Sequence, residues 1–184
     1  MGGSMSSVVI SGDTSGAITL ASPAVAGTNT ITLPASTGTV VTTGSPQSGG
    51  VIQTVYFGTA SAVSTSGGTQ ITTGVTATIT PKFATSKILV FVNIGCYNGG
   101  NNSTGINLQL YKNGSGLVGL DPFACYIGTT TGLLQQYSNA YLDSPATTSA
   151  TTYTVYFARN GGLGTVTINN NNELSTIVLQ EIAA

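Results

Sequence analysis

Side chains that could perform acid–base or nucleophilic chemistry are scarce in this 184-residue chain, and histidine is absent. Without imidazole, the chain has no Ser-His-Asp triad, no Cys-His pair and no histidine-ligated metal site. A glycosidase would need two carboxyl groups that face each other across a sugar. The five carboxylates are Asp13, Asp121, Asp143, Glu173 and Glu181. No motif pairs any two of them, so the sequence predicts a non-enzymatic protein with no catalytic residue.

The remaining reactive groups fit structural roles. Asp121-Pro122 and Asp143-Ser144-Pro145 have the composition of turns in which Asp accepts a hydrogen bond from its own backbone. Glu181 falls at the end of the last predicted strand, where we expect fraying. The thiols of Cys96 and Cys125 lack the further ligands of a metal site, and we expect both to be free and buried. The sequence therefore predicts neither a metal nor a cofactor.

Two asparagine-rich segments could bind a hydroxyl-rich ligand such as a sugar. Amides supply both donors and acceptors, and binding residues often lie on loops held by a rigid scaffold. Each segment also has the composition of a tight turn, because Asn tolerates left-handed backbone geometry. The candidate ligand-binding residues are Asn98, Asn101, Asn102, Asn170, Asn171 and Asn172.

The composition excludes several classes of partner. Only 5% of residues are charged and the net charge is −1, which is too little positive charge for a nucleic acid or a polybasic membrane contact. No apolar run is long enough to insert into a membrane. Because 40% of residues are hydrophobic, the chain can fold. A surface so poor in charge favours self-association.

From Val51 onward, short runs of β-branched and aromatic residues recur between turn-forming positions. Ile106, Leu108 and Leu110 alternate with polar neighbours, which indicates a strand with one face in a core. Lys112-Asn113-Gly114 predicts a tight turn, and Gly161-Gly162-Leu163-Gly164 predicts a hairpin loop rather than a phosphate loop. The predicted strands are 51–57, 70–80, 87–97, 105–112, 117–127, 133–142, 151–158, 163–169 and 174–182. This pattern predicts an all-β, antiparallel jelly roll or β-sandwich.

The segment 88–97 is apolar at both odd and even positions, which is typical of a strand covered on both faces. A two-layer domain covers only one face, so a second subunit is expected to cover the other. The alternative is that the 117–127 segment covers it. The candidate oligomer-interface residues are Phe91, Tyr97, Tyr137 and Tyr141, the last two on a mixed face with Leu133, Gln135 and Asn139.

The N-terminal part has a different composition. Residues 6–46 lack aromatic side chains, and the segments beginning at Ala17 and Thr30 form a degenerate 13-residue repeat, which predicts a repetitive β arm that needs a partner to bury its apolar residues. Residues 1–5 are interpreted as a cloning remnant before a native start at Met5. Residues 47–50 predict a linker, and 51–184 the C-terminal domain.

Several of these segments resemble proteins of tailed bacteriophages. The stretch from Ser11-Gly12-Asp13 through Thr30-Ile31-Thr32-Leu33-Pro34 to Gly38-Thr39-Val40-Val41 resembles a segment of virion fibre proteins, especially of marine phages. The stretches Ile79-Thr80-Pro81-Lys82, Leu110-Tyr111-Lys112-Asn113-Gly114 and Ser175–Ile182 are similar to trimeric fibre-tip domains. The C-terminal strand order also resembles, loosely, the jelly roll of the C1q and tumour-necrosis-factor group.

The resemblance implies a homotrimer that is assembled in a host cytoplasm and acts outside the cell as part of a virion. It implies that the N-terminal arm binds another virion protein, and that C-terminal loops bind a host-surface glycan or protein. Two alternatives remain open from the sequence. The chain could be a purely structural virion component, such as a capsid decoration protein or head fibre, or a bacterial surface or filament protein.

Overall fold

The computed structural model describes residues 7–11, 14–21, 41–42, 44, 46–99, 103–128 and 132–184. The chain divides into two compact units, Met1–Val40 and Val41–Ala184. The second unit contains all the candidate site residues. The arm, linker and domain boundaries drawn from the sequence stay predictions, and the second copy of the 13-residue repeat lies outside the described residues.

The described part of the first unit is an antiparallel pair of strands, β1 (Ser7–Ser11) and β2 (Ala17–Ala21). Ile10 pairs with Ile18, and Val9 and Leu20 are also exposed, so apolar side chains point away from both faces of the pair. Isolated two-stranded ribbons are marginally stable in water. The pair therefore needs a cover for these side chains.

The described residues of the second unit form ten strands of varied length. They are β3 (Val51–Thr59), β4 (Val63–Thr65), β5 (Ile71–Ile79), β6 (Lys87–Asn98), β7 (Thr104–Lys112), β8 (Ser115–Ile127), β9 (Leu133–Asp143), β10 (Thr151–Asn160), β11 (Val166–Ile168) and β12 (Ser175–Ile182). A short 3-10 turn, Asn170–Asn172, separates β11 from β12.

These strands form two antiparallel sheets. Sheet I has the order β3-β12-β6-β9. Beyond the end of β12, β11 pairs with the C-terminal residues of β6, and β4 pairs with β11. Sheet II has the order β5-β10-β7-β8. From β4 to β11, successive strands alternate between the sheets except at the β7–β8 hairpin; β3 and β4 share sheet I, as do β11 and β12. This strand order is that of a jelly roll. The prediction of an all-β antiparallel sandwich is confirmed.

Most predicted strands agree with the observed ones, with two exceptions. β4 was not predicted, and Gly161-Gly162-Leu163-Gly164 is not a hairpin loop, because it joins β10 in sheet II to β11 in sheet I. The turn after Lys112 is confirmed, since Asn113 and Gly114 both have positive φ angles. The 117–127 segment is a strand of sheet II and does not cover β6 from outside.

The core lies between the sheets and follows the alternation of side chains along each strand. Fully buried apolar side chains each contribute about 1.5–3 kcal/mol to stability, before conformational entropy is counted. The largest of them come from both sheets: Ile88, Ile94, Ile177 and Leu179 from sheet I, and Leu108, Leu110, Tyr153 and Phe157 from sheet II.

An ion pair between the buried Asp143 and the half-buried Lys112 joins the two sheets at one end of the sandwich. Asp143, the last residue of β9, accepts hydrogen bonds from Lys112 Nζ at 2.9 Å and from the Tyr153 hydroxyl at 2.6 Å. Burial, reinforced by that hydrogen bond to Asp143, raises the pKa of Tyr153 above its ordinary range. The predicted turn at Asp143 is wrong, because the carboxylate is engaged with two other strands.

Glu181 is also buried rather than frayed. Its Oε1 accepts the backbone N–H of Lys82 at 2.8 Å and of Phe83 at 3.2 Å, and its Oε2 accepts the Gln53 amide at 2.6 Å. Burial alone would raise the pKa of Glu181, but these hydrogen bonds outweigh it and hold the pKa below its ordinary value. The carboxylate thereby fixes the β5–β6 connection to β12.

We predict that Glu181→Gln lowers the free energy of unfolding by about 1.5–3 kcal/mol at pH 7, because hydrogen bonds to a charged acceptor are lost. The lowered pKa means that the wild-type advantage is complete above the ordinary value of 4.5 and disappears as the pH falls through the folded-state pKa. Urea unfolding of both proteins from pH 7 to pH 2.5 measures the difference, and a difference that does not change with pH would contradict this account.

Candidate functional site

The described residues contain no group of three His, Cys, Asp or Glu side chains placed to hold a metal ion. None of the described segments is a helix long and apolar enough to cross a bilayer. The candidate sites are therefore loops and exposed sheet faces.

Four connections between the sheets meet at one end of the sandwich, which we call end A. They join β4 to β5, β6 to β7, β8 to β9 and β10 to β11. Arg159 holds the β4–β5 connection by two hydrogen bonds: its backbone N–H donates to Gly67 O and its Nε donates to Ser66 O. Thr104 Oγ1 donates to Leu163 O at 3.1 Å, which joins two further connections. Described residues at the β4–β5, β6–β7 and β10–β11 connections are therefore hydrogen-bonded to one another.

The opposite end, end B, receives the chain from the N-terminal side. Gly49 N donates to Ala183 O and Ala183 N donates to Gly50 O, both at 2.9 Å, so residues 49–50 extend the pairing of β3 with β12. The C-terminus lies at this same end. The predicted linker 47–50 is thus partly paired with the end of the chain.

Asn98 is not on an exposed loop tip. It is the last residue of β6, is buried, and donates its side-chain amide to Thr104 O at 2.8 Å and Cys125 O at 3.0 Å. These bonds join β6 to β7 and β8. Its prediction as an exposed ligand-binding residue is wrong. Asn101 and Asn102 lie outside the described residues.

The second asparagine segment combines a buried anchor with an exposed turn. Asn169, which was not singled out in the sequence, is buried and donates its amide to Ser61 O at 3.0 Å. Asn169, Asn171 and Asn172 have positive φ angles, which confirms the turn geometry. Asn171 and Asn172 are exposed and Asn170 is half-buried. Their role in sugar binding stays a prediction.

The outer face of sheet I presents a broad apolar surface. Side chains that alternate with the buried ones point away from sheet II, and strand pairing places Val178, Phe91 and Ala140 in one row. Tyr56 is 61% exposed and Phe91 is 41% exposed. We define this face by the outward residues of β3, β12, β6 and β9: Thr54, Tyr56, Thr176, Val178, Gln180, Ile182, Lys87, Leu89, Phe91, Asn93, Tyr97, Leu134, Gln136, Ser138, Ala140 and Leu142.

A shallow groove of about 470 Å³ runs across this face beside Phe91. Asn93, Ser138, Thr176 and Val178 line it, and Ser138 Oγ lies 2.9 Å from Asn93 Oδ1. The groove contains no charged side chain. Phe91 and Asn139, which also lines the groove, had been named from the sequence. The rest of the lining was not, because the outward residues of β9 and β12 are small or polar and give no separate signal.

The four predicted interface residues do not form one surface. Phe91 and Tyr97 lie on the outer face of sheet I, whereas Tyr137 and Tyr141 point toward sheet II and pack against the core. Tyr137 also donates its hydroxyl to Leu120 O at 2.7 Å, and burial raises its pKa. The predicted mixed face of β9 is thus the inner one. A contact through Phe91 and Tyr97 stays a prediction.

Both cysteines are free and buried, as predicted. Burial, reinforced by the nearby Cys125 thiol, raises the pKa of Cys96 well above its ordinary value. Burial also raises the pKa of Cys125 to about 11. The Cys125 thiol lies 3.2 Å from Leu133 O, to which it donates. Since the thiolate is the reactive form, neither sulfur is suited to nucleophilic chemistry at neutral pH.

No protein-family model matches the chain, and no curated protein is significantly similar to it. Among solved structures, it is similar to VP2 of the infectious bursal disease virus subviral particle, with 13% identity and a TM-score of 0.40 over 73% of this chain and 38% of that one. The Gx strain of the same virus gives 14% identity and a TM-score of 0.41 over 92% and 43%. The chain spans about two fifths of these proteins, and we draw no functional conclusion from a likeness of this extent.

We predict that Asn98→Ala destabilises the protein by about 1–3 kcal/mol, because two buried carbonyl oxygens lose their donor. Asn171→Gly is the matched control. It removes an exposed amide at a positive φ that glycine accepts, and should change stability by less than about 0.5 kcal/mol. Urea unfolding compares the two variants, and equal losses would argue against the structural role of Asn98.

We further predict that the native thiols are alkylated by iodoacetamide at pH 8 at least about 100-fold more slowly than the thiols of the urea-unfolded chain, whose pKa is about 8.5. Burial limits access, and the raised pKa leaves little thiolate. Mass spectrometry of timed samples gives both rates. Modification of either native cysteine at the unfolded rate would show that these sulfurs are not enclosed as described.

Proposed function

We propose that this protein is a non-enzymatic, self-assembling component of a virus particle that attaches to a host-cell surface through the loops of end A. The observation that supports this most directly is that the two ends of the sandwich differ. The chain enters at end B, where residues 49–50 pair with Ala183, and four inter-sheet connections lie at the opposite end. End A, away from residues 49–50, is the end that we propose to bind a ligand.

The chemistry of end A favours a neutral, hydroxyl-rich ligand. Leu163 is 70% exposed there and provides an apolar contact, while Ser66, Ser103 and Asn160 lie nearby as polar groups. Arg159 donates its side-chain N–H groups to carbonyls of the end, including Ser66 O and Gly161 O. A positive charge used in this way stiffens the loops instead of recruiting an anion. A surface glycan fits such a site better than a charged polymer.

The resemblance of the N-terminal and C-terminal stretches to phage fibre proteins supports a virion setting. The exposed apolar side chains of the β1–β2 pair provide a surface that another virion protein could cover. Assembly from several copies would strengthen a weak single site by about 100-fold or more, provided that the sites engage together. The resemblance implies a homotrimer, which stays a prediction and is the alternative to the paired assembly inferred below.

Binding of the full chain to an array of bacterial surface glycans tests the attachment role. We expect saturable binding of at least one glycan class, and competition between the free protein and the particle for adsorption to host cells. Leu163→Glu at end A should weaken this binding at least about tenfold, equivalent to about 1.4 kcal/mol. Thr78→Glu adds the same charge at an exposed position of β5 and should leave binding within about twofold.

Absence of binding to glycans and to cells, with a folded and assembled protein, would overturn the attachment role. That result would favour a purely structural virion component such as a decoration protein. Equal loss in Leu163→Glu and Thr78→Glu would instead show that a ligand binds elsewhere than at end A.

A further inference from the structure

The outer face of sheet I carries large exposed apolar side chains among its polar ones. Antiparallel sheets with one side in water normally alternate apolar and polar residues. Here Tyr56, Phe91 and Leu142 project from three different strands of the exposed side, and Leu142 is 49% exposed. No described residue of the Val41–Ala184 unit packs over the Phe91 ring as a further layer, since sheet II lies on the opposite side. The described residues of this unit therefore leave the Phe91 side of the sheet without a further layer.

The two charges on this face lie at opposite ends of β6. Lys87 begins the strand, is exposed, and forms no ion pair among the described residues. Glu173 packs over Gly95, where an added Cβ would lie 2.9 Å from the Glu173 Cβ. Its Oε2 is buried and has no hydrogen-bond partner among the described residues. A buried carboxylate oxygen without a donor costs free energy, and because the Glu173 side chain is only half-buried, a cation from another subunit placed beside its accessible part would be stabilising.

Phe91 lies midway between these charges. Lys87 and Gly95 are each four residues from Phe91 along β6, or about 13 Å at the rise of a β-strand. A second copy can be placed face to face with the first by a two-fold rotation. If the axis runs between the two faces, perpendicular to β6 and past Phe91, Lys87 of each copy lies above Glu173 of the other. The face is thus complementary in charge to itself in the antiparallel orientation only.

The size of the face is suited to a pairing of this kind. Four strands about 4.8 Å apart and eight residues with a rise of about 3.3 Å give a surface of roughly 19 by 26 Å, on the order of 500 Å² in projection. The accessible area of the side chains on this face is larger than its projected area. The accessible area therefore approaches the roughly 800 Å² per partner of a standard interface.

We infer that the outer face of sheet I binds a second copy of this chain face to face, with a two-fold axis at Phe91 and with Lys87 of each copy paired to Glu173 of the other. This inference rests on the self-assembly part of the proposed function and identifies its contact surface. The two Phe91 rings meet at the axis, and Val178 and Ala140 surround them. Further copies would have to join such a pair through other surfaces.

Charge exchange in the full-length chain, measured by sedimentation equilibrium, tests the inference. Wild-type protein should have the mass of two 18.4 kDa subunits, or a multiple of that mass. Lys87→Glu and Glu173→Lys each place like charges together, and each should raise the dissociation constant at least about tenfold. The double variant Lys87→Glu/Glu173→Lys restores opposite charges and should return within about threefold of wild type.

Two controls keep the result interpretable. Lys82→Glu makes the same change in net charge on the β5–β6 connection, away from this face, and should not change association. Phe91→Asp should dissociate the pair. Circular dichroism and thermal unfolding of every variant show whether it is folded. The charge-exchange test does not depend on whether Phe91→Asp folds, because the double variant is expected to recover association.

A monomeric or three-subunit wild-type protein would overturn the inference, as would a double variant that associates no better than the single ones. Glycan binding distinguishes this failure from failure of the proposed function. A wild-type monomer that still binds glycans would reject the interface alone, whereas paired subunits that bind neither glycans nor cells would reject the attachment role alone.

Discussion

The central constraint on this molecule is that β6 carries apolar side chains on both of its faces, while the described residues of the Val41–Ala184 unit cover only one of them. Ile88, Val90, Val92 and Ile94 enter the core against sheet II, and the same alternation directs Leu89 and Phe91 outward. Because side chains in a strand alternate with a period of two, no change of register would place both sets in the core. The jelly roll is thus complete as a fold but leaves an apolar surface that favours association.

The few charged groups are used to hold the sandwich together. Asp143 joins Lys112 and Tyr153 at one place, and Glu181 fixes the β5–β6 connection at another. Removal of one partner from such a buried pair is costly, so these residues are poorly suited to titrate during a reaction. Arg159 is likewise engaged with backbone carbonyls. This use of charge supports a structural or adhesive role, and leaves Lys87 and Glu173 as the pair that copies could share.

Sequence reasoning predicted those strands in which one face is clearly apolar. Ile106, Leu108 and Leu110 predicted β7, and the Asn113-Gly114 turn followed from residues that accept positive φ. β9 shows where such reasoning fails, since Leu133 and Leu134 begin two equally mixed faces. Only pairing with β6 decides that Tyr137 and Tyr141 point inward. The buried role of Glu181 was also missed, because its partner Gln53 lies 128 positions away in sequence.

The sequence identified the apolar strand and the need for a cover, but not the charges at its ends, because Glu173 reaches β6 only through the turn after Asn169. A high-resolution structure of the assembled protein in solution, obtained by electron cryo-microscopy, tests the central claim most directly. The account predicts two copies with their sheet I faces together, Phe91 against Phe91, and Lys87 Nζ within about 4 Å of a Glu173 carboxylate oxygen of the partner subunit. An assembly in which Phe91 faces solvent, or a well-folded single subunit, would contradict it.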